Sequence, residues 1–119
     1  MTAAATRPWP LELRLDAAKT TLTVAFDTGE NYALPAEYLR VESPSAEVQG
    51  HSPSQKQIVT GKADVKITAL EPVGNYAVRI RFDDGHDTGL FTWDYLLELG
   101  REHETKWAAY VKAAGRPSP

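Results

Sequence analysis

The feature that most constrains this fold is a pattern the chain shows twice. Phe26-Asp27-Thr28-Gly29 is matched by Phe82-Asp83-Asp84-Gly85, and Tyr38-Leu39 by Tyr95-Leu96, at offsets of 56 and 57 residues. Each match ends an alternating apolar run, supplies a turn with Asp and Gly, and leads through a short strand into a helix carrying an aromatic and Leu. Duplication of one supersecondary unit accounts for this. So does the recurrence of Asp-x-Gly turns, because glycine supplies the positive φ that such hairpins need.

The remaining segments fit this frame. "LELRLD" (11 to 16) and "TLTVAFD" (21 to 27) alternate and predict two strands, followed by a short strand at 31 to 34 and one helical turn in "PAEYLRV". In the second half, "DVKITALEPVG" and "NYAVRIRFDDG" predict a hairpin about Val73-Gly74-Asn75, and "HDTGLFT" continues the sheet. "WDYLLELG" predicts a helix capped by Thr92 and ended by Gly100, with Trp93 partly exposed. Trp107, Tyr110 and Val111 stand at helical spacing in a C-terminal helix. The expected fold is α+β: mostly antiparallel strands in two similar hairpin-plus-helix halves, closed by a C-terminal helix.

With 119 residues, 42% hydrophobic and 24% charged, the chain is sized and composed as one globular domain, expected over residues 9 to 113. Residues 1 to 8 and 114 to 119 read as disordered tails, and residues 43 to 63 as a long polar loop. A net charge of −3 gives no electrostatic reason to expect nucleic acid. No apolar run reaches a membrane span and no secretory leader is evident, so a cytoplasmic protein is expected, with neither membrane nor nucleic acid as partner. Cysteine is absent, which excludes disulfides, a thiol nucleophile and thiolate metal ligands.

Candidate chemistry gathers around "FDDGHDT". If the long loop folds back, His51, with Glu42 or Glu47, approaches His86, Asp84 and Asp87. Two imidazoles with carboxylates suit Fe²⁺ or Zn²⁺. The blander reading makes His86 an exposed turn residue and leaves His51 in the loop, while His103 is read as a solvated helix position. Arg79 and Arg81 share one sheet face with Lys66 near, which reads as a salt-bridged surface in company with Glu12 and Arg14, or as a dock for an acidic partner. No oxyanion site and no phosphate-binding glycine loop is in view, so an independent enzyme is not expected.

"YALPAEYLRVESPSAEVQGH" and "VKITALEPVGNYAVRIRFDDGHDTGLFTWDYLLELG" together resemble the gamma-butyrobetaine hydroxylase-like N-terminal domain family. In the carnitine-pathway oxygenases of that resemblance, the related domain precedes the catalytic barrel and holds zinc through three cysteines and a histidine. The resemblance places the histidine at His86 and the Cys-Pro-Cys-x-x-Cys stretch on Ser43-Pro44-Ser45-Ala46-Glu47-Val48, so Ser43, Ser45 and Val48 replace the thiolates. Serine hydroxyls are poor zinc ligands, so that site is not intact. The oxygenase barrel and its facial triad are also missing, since Asp87 adjoins His86 without the one-residue gap. Domains of this type are also joined to P-loop ATPases that handle iron–sulfur clusters. The resemblance therefore implies a noncatalytic binding or adaptor module working with a metal- or cofactor-handling protein. The alternative is a metal-binding protein, or an oxygenase accessory subunit, using His51 and His86.

Overall fold

A computed structural model describes residues 9–44, 63–87 and 89–113. The two tails and nearly all of the long loop, with Ser45, Glu47, Val48 and His51, lie outside the described residues. Strands β1 (Pro10–Leu15), β2 (Thr21–Phe26) and β3 (Asn31–Pro35) form an antiparallel meander that leads into α1 (Ala36–Val41). A second meander, β4 (Ile67–Val73), β5 (Ala77–Phe82) and β6 (Leu90–Thr92), leads into α2 (Trp93–Arg101), and α3 (His103–Ala113) follows. The α+β architecture in two like halves is thus the one expected.

Alternation makes the central strands. Leu22, Val24 and Phe26 of β2 and Val78, Ile80 and Phe82 of β5 are buried, while the residues between them are half-exposed. At the end of both strands a glycine takes up positive φ, 93° at Gly29 and 91° at Gly85. This is the left-handed conformation that costs glycine least.

The likeness of the halves extends well past their turns. Each first strand carries a bulge at the same place, after Pro10 in β1 and after Ile67 in β4. Asp27 N–H donates to the Trp9 carbonyl while the Asp27 carboxylate accepts from Trp9 N–H; Asp83 and Lys66 repeat both bonds. Phe26 and Phe82 likewise donate to the carbonyls of Glu30 and His86, 56 residues apart. Turn chemistry alone requires none of these long-range repeats.

The halves are joined reciprocally. Tyr38 of α1 donates its hydroxyl to the Leu99 carbonyl at 2.7 Å, and the equivalent Tyr95 of α2 donates to the Glu42 carbonyl, which is equivalent to Leu99. Residue i meeting j′ while j meets i′ is the logic of a twofold interface, here within one chain. Between the halves lies one core containing Leu34, Leu39, Ile67, Phe91, Leu96 and Leu99. Burial pushes the phenols of both tyrosines above their ordinary range.

Three expectations need correction. Gly100 does not end its helix, which runs to Arg101; it is buried because the Tyr32 ring lies where its side chain would be. His103 is half-buried, stacked on Tyr38 with ring centroids 4.3 Å apart, and burial lowers its pKa. Glu12 and Arg14 pair with each other on β1, whereas Arg79 and Arg81 pair with Glu71 of β4 and Arg81 also with Asp87. In α3, Tyr110 and Val111 are buried and Trp107 packs beside them. Thr92 caps α2 as expected, accepting from Tyr95 N–H at 3.1 Å.

Candidate functional site

His86 follows the second Asp-x-Gly turn. The Asp84 carboxylate accepts from its backbone N–H at 3.0 Å, and its carbonyl accepts from Phe82 N–H, so the turn fixes the residue from both sides. Its ring points inward and tilts against Phe82 with centroids 6.1 Å apart. With only 7% of its surface exposed, His86 is not the exposed turn residue of the blander reading. The tight turn forces its backbone close to the sheet end, where the C-terminus of α1 arrives.

That terminus delivers Ser43. After α1 the chain turns as Glu42 N–H donates to the Tyr38 carbonyl and Ser43 N–H to that of Arg40. Ser43 is completely buried, and its Oγ lies 2.9 Å from His86 Nε2, the imidazole tautomer deciding which of the two donates. Gly89 completes the contact, because any β-carbon there would collide with Ser43 Oγ. Beside it the Arg40 guanidinium meets the Asp84 carboxylate at 2.8 Å, with both side chains mostly buried.

Of the residues singled out by sequence, the structure brings together His86, Asp84 and Ser43. Asp87 is turned to Arg81 at 3.6 Å, Glu42 serves through its carbonyl, and His51 lies outside the described residues. A serine bonded to an imidazole resembles a nucleophile and its base. A fully buried hydroxyl, however, offers no substrate access. Among the described residues no three His, Cys, Asp or Glu side chains converge as metal ligands. The group facing His86 Nε2 is moreover the Ser43 hydroxyl, a poor zinc ligand, so the residues described do not fit a thiolate-type zinc site.

Sequence reasoning missed a second feature. Trp9 and Tyr76 are 45% and 51% exposed, and Trp93 stands at the same end: its ring packs edge-on to Trp9 at 6.1 Å, and its N–H donates to the Tyr76 carbonyl. Indole Nε1 of Trp93 also donates to the Asn75 carbonyl. The only available signal was the run of aromatics flanking the two predicted hairpins.

The model of the family described as gamma-butyrobetaine hydroxylase-like, N-terminal, matches residues 13–97, which span both halves and the Ser43–His86 contact. The chain belongs to this family. A crystal structure of a DUF971 family protein of unknown function from Acidithiobacillus ferrooxidans is similar at 43% identity, covering 76% of this chain and 91% of the other, with a TM-score of 0.64. Two protein structures solved in solution by NMR are similar over more of the chain. One shares 46% identity over 93% of this chain and 90% of its own, with a TM-score of 0.76. The other shares 42% over 98% and 89%, with a TM-score of 0.77. No curated protein matches the chain. In this member of the gamma-butyrobetaine hydroxylase-like N-terminal family, His86 lies in a buried contact with Ser43.

Proposed function

We propose that this domain is a noncatalytic, cytoplasmic protein-binding module, docking on a metal- or cofactor-handling protein through its aromatic end. The observation that carries the reading is the exposure of Trp9 and Tyr76 around Trp93. Exposed aromatics supported from beneath are what binding hot spots are made of. The buried state of Ser43 and His86 gives that pair a structural part, closing the turn against α1. Kinship with domains fused to oxygenases and to cluster-handling ATPases supplies the class of partner, by analogy of fold.

The test is recovery of such an ATPase or oxygenase with the tagged domain, compared between wild type, the double variant Trp9→Ser/Tyr76→Ser, and His86→Ala. The reading expects at least a tenfold loss with the aromatic double variant and none with His86→Ala. Retention by the aromatic variant, or loss on His86→Ala with the fold shown intact by circular dichroism, overturns it. A second reading, metal binding through His86 and His51, draws on one observation: His86 faces Ser43, next to the segment that carries His51. It requires saturable shifts of the amides around His86 when Zn²⁺, or Fe²⁺ under anaerobic conditions, is added at stoichiometric concentration.

A further inference from the structure

The first strand of each half lies at a sheet edge, and the two edges differ in a way that bears on assembly. Among the described residues no strand pairs with the outer side of β1 or of β4. Asp16 N–H donates inward to the Thr21 carbonyl, so by strand alternation the N–H and C=O of Leu13 and Leu15 face outward. In β4 the position equivalent to Leu15 is Pro72, which has no N–H to offer. Proline at such a place blunts an edge against pairing. The β1 edge carries no proline beyond its first residue.

Instead β1 reads Leu11-Glu12-Leu13-Arg14-Leu15, a sequence complementary to itself. An antiparallel copy centred on Leu13 sets Glu12 opposite Arg14 of the second chain and Arg14 opposite its Glu12. It also brings Leu11, 68% exposed and left out of register by the bulge, to Leu15 of the other strand. Opposite charges face each other at both cross-strand positions, and like charges at none. In the single chain these two side chains pair with each other along the strand, at 2.8 Å and well exposed.

We infer that two copies of this chain associate through antiparallel pairing of their β1 edges about Leu13, joining two three-stranded sheets into one of six strands. The pairing is isologous and closes after two copies. It is distinct from the adaptor reading, because its variants leave Trp9, Tyr76 and Trp93 unchanged.

Sedimentation equilibrium over a wide range of protein concentration tests it, with far-ultraviolet circular dichroism as the control for folding. Wild type should pass from the 13.1 kDa monomer to twice that mass as concentration rises. Arg14→Glu places glutamates opposite each other at both positions and should raise the dimer dissociation constant at least tenfold. The exchange Glu12→Arg/Arg14→Glu restores complementarity and should return it to near the wild-type value. Wild type that stays monomeric throughout, as it would if anything else occupied this edge, overturns the inference. So does a dimer indifferent to Arg14→Glu, or an exchange variant that fails to recover association.

Discussion

The corner where Tyr32 meets Gly100 and the corner where Gly89 meets Ser43 hold equivalent places in the two halves, and they are closed by opposite means. In the first, a tyrosine ring fills the space left by a helical glycine, its hydroxyl donating to Glu30, whose carboxylate also takes two bonds from Arg101. In the second, glycine replaces the tyrosine, serine replaces the glycine, and His86 stands in the position of Glu30. The backbone has kept its symmetry while the side chains have exchanged large for small and a carboxylate–guanidinium pair for a serine–imidazole hydrogen bond. Symmetry of the frame therefore survives because packing can be satisfied by either pairing, provided each bulky group faces a residue without a β-carbon.

That comparison can be broken from either side. Gly100→Ala drives a β-carbon into the Tyr32 ring, and should cost about 3 kcal/mol, the upper end of overpacking, despite the gain of about 1 kcal/mol in helix propensity. Gly89→Ala should cost about 2 kcal/mol, because the group it meets is a single hydroxyl. Adding Ser43→Ala removes that hydroxyl, so the double variant should be more stable than the sum of the singles by about 1 kcal/mol. Urea unfolding midpoints at constant m-value measure all three. Equal costs at the two glycines would mean that the corners are equally tolerant and the contrast is only one of composition.

The reciprocal tyrosines sharpen the comparison at the twofold itself. Tyr38→Phe leaves the Leu99 carbonyl without its donor, and Tyr95→Phe does the same to the Glu42 carbonyl. Each should cost about 1–2 kcal/mol in thermal or urea unfolding, with the two values within about 0.5 kcal/mol of each other. A large inequality would show that one half contributes more to the shared core than its partner.

Much of this frame was legible in the sequence because it rests on local chemistry. Alternation located the first three strands within a residue and the last three with ends up to four residues too long, the Asp-x-Gly turns marked the positive-φ glycines Gly29 and Gly85, and Thr92 announced its cap. What could not be read was decided by distant chain. Gly100 looked like a helix stop because nothing local reveals that Tyr32 arrives against it. His86 looked exposed because a turn among charged residues is usually solvated, and only the docking of α1 brings Ser43 over it. His103 sits among charges in sequence, yet the helix face that carries it meets Tyr38. The family resemblance did place Ser43 and His86 in one site, which spacing alone did not.

The smallest effect lies in the acid limb, and it separates the corners by charge. Hydrogen bonds from Arg101, Tyr32 and Thr28 hold the Glu30 carboxyl down at about 2, against an ordinary value of 4.5. A carboxyl with a depressed folded pKa stabilises the fold above its unfolded value, and that stabilisation is lost as pH falls from about 4.5 towards 2. Glu30 is solvent-accessible, so its share is modest and screened by salt. Glu30→Gln should flatten the decline of melting temperature across that window and leave the neutral-pH value slightly lowered. Ser43→Ala, at the equivalent corner, removes no carboxylate and should keep the wild-type slope there. His103, whose pKa burial lowers, weakens the fold as pH drops below about 6.5, but it does so in every variant alike and cancels in the difference. An unchanged acid slope in Glu30→Gln would mean that Glu30 is paired as strongly in the unfolded chain, and that the ion pair closes its corner by shape rather than by charge.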